Sequence, residues 1–200
     1  MRTTARRPSI LAAALGALLL VAACAPDAPP ATDAPPATAG ASAAWLSDHG
    51  LDGMSGREVV DHLEAMPVAE RPTDLVASIK PDSVELSDAD GNTTSLGLPE
   101  DEFYVSVAPY IAQTHDCFFH SLTTCLGELR DQDVSVQVVD GSGAVLVDED
   151  VRTADNGFVG LWLPRGVDAT LTIEHDGRAV AVPLSTGDDD PTCVTTARLV

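Results

Sequence analysis

The hydrophobic pattern changes period near residue 100. Upstream, Val59, Val60, Leu63 and Met66 recur at helical intervals behind the capping-box spacing Ser55-Gly56-Arg57-Glu58, and Pro67 stops the run. This predicts one short amphipathic helix. Leu75–Ile79 and 84–86 read as strands, and Asp90-Gly91-Asn92 reads as a turn into a third at 94–98. Residues 45–100 are therefore expected to form a small α+β unit. Downstream the period falls to two, over 103–107, 134–138, 144–147, 158–163, 169–174, 179–182 and 193–200. Turn signals separate these runs, notably Asp140-Gly141-Ser142-Gly143, Asp155-Asn156-Gly157, Pro164-Arg165-Gly166 and Asp176-Gly177. About seven short strands at this spacing predict a β-sandwich over 101–200.

The stretch 134–183 also resembles transthyretin-like and immunoglobulin-like modules, in which a strand, a glycine turn and an Asn-Gly-aromatic step into the next strand recur. The expected fold class is thus mainly β, with an α+β N-terminal part and a β-sandwich-like C-terminal domain.

The first 44 residues belong to neither pattern. Arg2, Arg6 and Arg7 precede a single apolar run that ends Leu20-Val21-Ala22-Ala23-Cys24. The run is short for a membrane span and reads as an export leader over 1–23. Small residues directly before a cysteine resemble the lipobox of bacterial lipoproteins, which implies lipidation of Cys24. Asp-Ala-Pro-Pro-Ala-Thr then occurs twice within 24–44, a Pro/Ala tether with nothing large to bury. The working domain is expected outside the cytoplasm, held to the membrane by its lipid.

Charge narrows the partners. The 200-residue chain carries 31 acidic and 11 basic residues, and loss of the three leader arginines leaves 8 basic residues and a net charge of −23. Such a surface repels nucleic acid, whose affinity depends on Lys and Arg, and concentrates cations within a Debye length. Length excludes a multi-domain enzyme, and no Ser-His-Asp order, paired-carboxylate motif or phosphate-binding glycine loop stands out.

The chemical signal is a cluster of soft donors. Cys24 aside, Cys117, Cys125 and Cys193 remain, an odd number that leaves at least one thiol without an internal partner. His115 and His120 flank Cys117 in the run His115-Asp116-Cys117-Phe118-Phe119-His120-Ser121-Leu122-Thr123-Thr124-Cys125. On an unbroken helix Cys117 and Cys125 would lie roughly 12 Å apart along the axis, so the segment must bend, with Thr123-Thr124 and Gly127 offering the place. Cys193 would join from the last strand, after Gly187-Asp188-Asp189-Asp190-Pro191. Two readings follow. Two of the cysteines could form a structural disulfide, or thiolates and imidazoles could ligate a thiophilic metal such as Cu(I) or Zn(II). A redox-active pair could do both. His49, His62 and His175 read as solvated, Asp188 to Asp190 as a solvated turn, Trp162 as core, and Phe118 and Phe119 as core or as a shield over the site.

Three blocks, 103–110, 113–125 and 155–164, together with the closing 185–193, resemble the CueP family of periplasmic copper-binding proteins across about residues 45–200. The resemblance implies copper, Cu(I) and in a redox role Cu(II), bound through Cys117, Cys125 and Cys193 with His115 and His120 alongside. It also implies copper tolerance, delivery to an extracytoplasmic Cu,Zn superoxide dismutase or another cuproprotein, thiol-driven reduction of Cu(II), and a homodimer formed through the N-terminal part. The lipobox and tether depart from family members that are soluble in the periplasm.

Overall fold

The structure, a computed structural model, describes residues 44–200. The leader, Cys24 and the tether up to residue 43 lie outside the described residues. After a 3-10 turn at Ala44–His49, the helix α1 spans Gly56–Ala65. It begins where the capping box predicts: the Ser55 hydroxyl accepts from the Glu58 N–H, and the Glu58 carboxylate accepts from the Ser55 N–H at 2.8 Å. Its buried face carries Val59, Val60 and Leu63, but also Glu64. A second 3-10 turn at Val68–Glu70, which the pattern did not signal, leads into the first sheet.

That sheet is the antiparallel meander β1 (Leu75–Ile79), β2 (Ser83–Asp88) and β3 (Thr93–Gly97). β1 alternates buried Leu75, Ala77 and Ile79 with more exposed residues, so one sheet face packs on α1. Downstream come β4 (Glu102–Val107), β5 (Asp133–Asp140), β6 (Val145–Arg152), β7 (Val159–Pro164), β8 (Asp168–His175), β9 (Arg178–Ser185) and β10 (Cys193–Val194). They form two sheets, ordered β10-β4-β7 and β6-β5-β8-β9. Phe103, Val105 and Leu161 from the first sheet meet Val136, Leu171, Ile173 and Val182 from the second in one apolar core, which is the expected sandwich.

β4 is buried along nearly its whole length because it works on two faces. Phe103, Val105 and Val107 point into the sandwich, while Tyr104 packs with the α1 core, its ring 4.8 Å from that of Trp162. Trp162, expected as core, is only half-buried: its indole donates to Asp61 at 2.8 Å, and the Arg57 guanidinium stacks over it at 4.3 Å. The final strand is shorter than its pattern. Only Cys193–Val194 pairs in parallel with β4; beyond it the chain bonds to Tyr110 through Ala197 and Leu199, turns tightly where the Arg198 N–H donates to the Thr196 carbonyl, and then pairs Val200 with Ala179 of β9. The alternation over 193–200 thus reflects a tail that passes from one sheet to the other.

Candidate metal centre

Residues 108–132, between β4 and β5, contain no helix or named strand, and they carry four of the five predicted donors. Backbone bonds to neighbouring elements fix their course. The Ile79 N–H donates to the His120 carbonyl at 2.8 Å and the Leu122 N–H to the Ala77 carbonyl at 2.9 Å, so 120–122 lines the open edge of β1 while Leu122 is buried in the α1 core. From the other side the N–H groups of Thr192 and Cys193 donate to the Phe118 carbonyl, and the His120 N–H donates to the Thr192 hydroxyl. His120 and Cys193 are thereby brought together from positions 73 residues apart.

The predicted bend is a single turn. The Cys125 N–H donates to the Ser121 carbonyl at 3.1 Å, and the Ser121 N–H points at Cys125 Sγ at 3.4 Å. Thr124 ties the turn to Ser121 through its hydroxyl at 2.7 Å. Gly127 then passes so close to Gly157 that a Cβ at Gly127 would lie 2.7 Å from the Gly157 carbonyl oxygen, so both positions require glycine. On the opposite flank the Glu128 carboxylate accepts from the N–H groups of Ile111, Ala112 and Gln113 at 2.8 to 3.0 Å. This locks the turn that presents His115.

The donors converge. Cys117 Sγ and Cys125 Sγ are 3.7 Å apart and unbonded, and Cys193 Sγ lies 3.8 Å from His120 Nδ1. The ligating atoms of His115, Cys117 and Cys125 lie within 4.8 Å of one another, and so do those of His120, Cys125 and Cys193. Cys125 is common to both sets. Among the described residues neither His49, His62 nor His175 joins such a group. His62 is exposed, but His49 and His175 have mostly buried side chains, against Asp74 and bonded to the Asp133 carbonyl respectively, rather than the solvated ones expected. Phe118 and Phe119 are also corrected as core residues: at 53% and 36% exposure they stack edge to face at the surface, with the Lys80 ammonium 3.9 Å over Phe119. The ring that does pack on the site is buried Phe158, 4.6 Å from the His120 ring and 6.3 Å from that of His115. A larger groove on the β1–β3 sheet, of about 520 Å³ and lined by Val76, Lys80 and Glu85 among others, contains none of these donors.

The sequence reading missed the residues behind the site. Glu64 is buried, with its carboxylate 3.0 Å from His120 Nε2, and it accepts from the Tyr104 hydroxyl at 3.0 Å and the Asn156 amide at 2.6 Å. The His120 contact is close but off the N–H line, so it acts as a charge contact and leaves Nε2 without a formal hydrogen bond. Gly160 faces Tyr104 across the strand pair; any Cβ there would overlap the hydroxyl that reaches Glu64. Arg71, 6% exposed, adds a second buried cation, donating to the Glu64 and Met66 carbonyls. A signal for Glu64 did exist: it follows Val60 by four positions, so it falls on the apolar stripe of α1 where a carboxylate is costly unless partnered.

These contacts set the charges. Burial opposes ionisation of Glu64, but His120, Asn156 and Tyr104 outweigh it and hold the carboxyl below its ordinary range. Burial likewise opposes charge on His120, yet Cys125 and Glu64 push it up to about 9. The neighbouring thiols of Cys117 and Cys193, with His120, hold Cys125 well below an ordinary thiol. Cys117 is pushed up to about 12, chiefly by Cys125, and Cys193 is raised by both other thiols. Cys125, within reach of both other thiols and the His120 imidazole, is therefore the most readily ionised of the three.

A β-sandwich whose connecting loop and last strand bring together three cysteine sulfurs and two imidazoles has the donor chemistry of a protein that takes a thiophilic metal. The family model described as periplasmic copper-binding protein CueP matches residues 58–198. The chain is also similar to a solved structure, the crystal structure of S.CueP, at 38% identity and a TM-score of 0.75, over 82% of this chain and 100% of that one. No curated protein matches it. The chain belongs to the CueP family of periplasmic copper-binding proteins. Among the described residues no helix is long and apolar enough to cross a membrane.

Proposed function

We propose that this chain is a lipid-anchored extracytoplasmic protein that binds Cu(I) through cysteine thiolates, holds it and hands it on, serving copper tolerance and delivery. The observation that carries this reading is the convergence of Cys117, Cys193, His115 and His120 on Cys125 Sγ. Two thiolates on one ion with metal–sulfur bonds of about 2.3 Å at tetrahedral angles would lie about 3.8 Å apart. Cys117 and Cys125 stand at 3.7 Å. Cys117, Cys125 and Cys193 act as thiolate ligands and His115 and His120 as imidazole ligands, while Glu64 orients the His120 ring from behind, as carboxylates do for metal-bound histidines. Copper is cargo in this reading. Its recipients are an extracytoplasmic Cu,Zn superoxide dismutase or another cuproprotein, residues 45–100 supply a homodimer surface, and Cys24 carries the lipid. Competition between the reduced chain and a Cu(I) chelator tests the reading: tight 1:1 binding that Cys125→Ser abolishes supports it, and unchanged affinity removes that residue's role. Partition of Cys24→Ala into the soluble fraction tests the anchor.

A second reading rests on the same 3.7 Å thiol pair. Cys117 and Cys125 could give one electron each to two Cu(II) ions, forming one S–S bond and two Cu(I) and releasing their thiol protons. Loss of two free thiols per chain on Cu(II) addition supports reduction; constant thiols with bound copper support storage alone.

A further inference from the structure

Resting on the copper-binding reading above, the geometry points to two overlapping metal positions that share Cys125 Sγ, between which a single Cu(I) passes from a receiving set to a retaining set. The outer position is formed by His115, Cys117 and Cys125, the inner one by His120, Cys125 and Cys193. Each offers two sulfurs and one imidazole nitrogen, a complete three-coordinate shell for Cu(I). The five donors do not form one set, because their atoms are not all within 4.8 Å of one another. Two ligands on opposite sides of one ion can be at most about 4.6 Å apart with bonds of about 2.3 Å. One ion therefore engages one set or the other, and only Cys125 need never let go.

The two positions differ in access. The outer donors are all half-buried, and His115 borders a surface groove of about 400 Å³ lined by Gln113, Thr114, Leu126, Gly127 and Glu128 as well. The exposed Glu128 carboxylate, already fixed by three backbone amides, gives that groove negative charge at its mouth. The inner donors His120 and Cys193 are 0% and 2% exposed. Phe158 packs against both imidazoles, and Cys125 is the one donor common to the two sets. An incoming ion thus meets His115 and Cys117 first. Exchanging Cys117 for Cys193 and His115 for His120 around a retained Cys125 bond moves it out of reach of solvent without a free ion ever forming.

The test separates rate from affinity in the reduced full chain, with Cu(I) supplied as a bicinchoninate complex. His115→Ala removes one outer ligand and is expected to slow capture by at least about ten-fold while equilibrium affinity stays within about two-fold of the parent. Cys193→Ser, close to isosteric, removes one inner ligand; capture speed should hold, affinity should fall by at least about ten-fold, and bound Cu(I) should become readily extractable by chelator. His120→Ala should reproduce the Cys193→Ser pattern, with Cys193→Ser deciding if the histidine variant fails to fold. Equal loss of rate and affinity in His115→Ala and Cys193→Ser would overturn the two-position scheme, as would two Cu(I) ions bound together in native mass spectrometry. Those outcomes leave copper binding intact, whereas a parent chain that takes no Cu(I) from the chelator would sink the underlying reading as well.

Discussion

The sandwich core and the metal centre lie one strand apart and are built on opposite principles. Between the two C-terminal sheets lies one cluster of buried apolar side chains, from Phe103 on β4 to Leu184 on β9. On the other side of β4 the chain buries a carboxylate, an imidazole and a guanidinium, Glu64, His120 and Arg71, behind the cysteine cluster. The first arrangement gains stability from area removed from water and tolerates shape-preserving change. The second spends some of that stability on charges that must stay paired, and it returns a fixed imidazole and an ionised sulfur. Tyr104 joins the two, since its strand neighbours Phe103 and Val105 belong to the sandwich while its hydroxyl bonds Glu64.

The sharpest break in this contrast is Glu64→Ala, which leaves charged His120 without its counter-charge and the donors of Asn156 and Tyr104 without their acceptor. A loss of about 3–5 kcal/mol in urea unfolding of the metal-free protein is expected. The pH profile gives an independent reading. His120 is raised from 6.5 to about 9, so its stabilising share is complete below about 6.5 and disappears as pH rises through about 9. Glu64 is lowered from 4.5, so its share is complete above that value and fades as pH falls through its depressed one. The metal-free parent should therefore be most stable between these limits, and Glu64→Ala should flatten both edges; a profile identical to the parent's would remove the pair from the picture.

Leu171→Ala, in the middle of the sandwich, should cost about 2–5 kcal/mol by leaving a cavity, with the Cu(I) affinity of the folded protein unchanged. Copper affinity that tracked this loss would erase the distinction between the two regions. A smaller effect, about 1 kcal/mol, is expected for Ser55→Ala, which removes the cap of the helix that carries Glu64. Smallest is Arg152→Ala on the exposed β6, where ion pairs to Asp131 and Asp133 lie in solvent and at most about 0.5 kcal/mol should be lost.

The same contrast explains what could be read from the residues alone. Helix α1 and most strands were legible because capping and alternation are local, and β1 falls on its predicted bounds. The bend at Thr123-Thr124 was legible too, since two cysteines eight residues apart cannot meet on a straight helix. The approach of Cys193 could only be supposed, because the parallel β10-β4 pairing that delivers it joins distant parts of the chain. Glu64, Asn156 and Tyr104 carry no spacing signal as a group; only the misplaced carboxylate on an apolar helix face hinted at them. Phe118 and Phe119 misled because large apolar residues beside a cluster of ligands read as core, yet the Phe118 carbonyl is used to tether β10 and both rings are left exposed.

Cu(I) competition titration of Cys125→Ser beside Cys117→Ser and Cys193→Ser, all in the reduced chain, addresses the shared thiolate most directly. Cys125 belongs to both donor sets, so its loss should abolish competitive binding, while Cys193→Ser leaves the outer set with a weaker but measurable affinity and Cys117→Ser leaves the inner set with an affinity close to the parent's. Copper held by Cys125→Ser as tightly as by the parent would contradict the assignment of that sulfur as the pivot of the site.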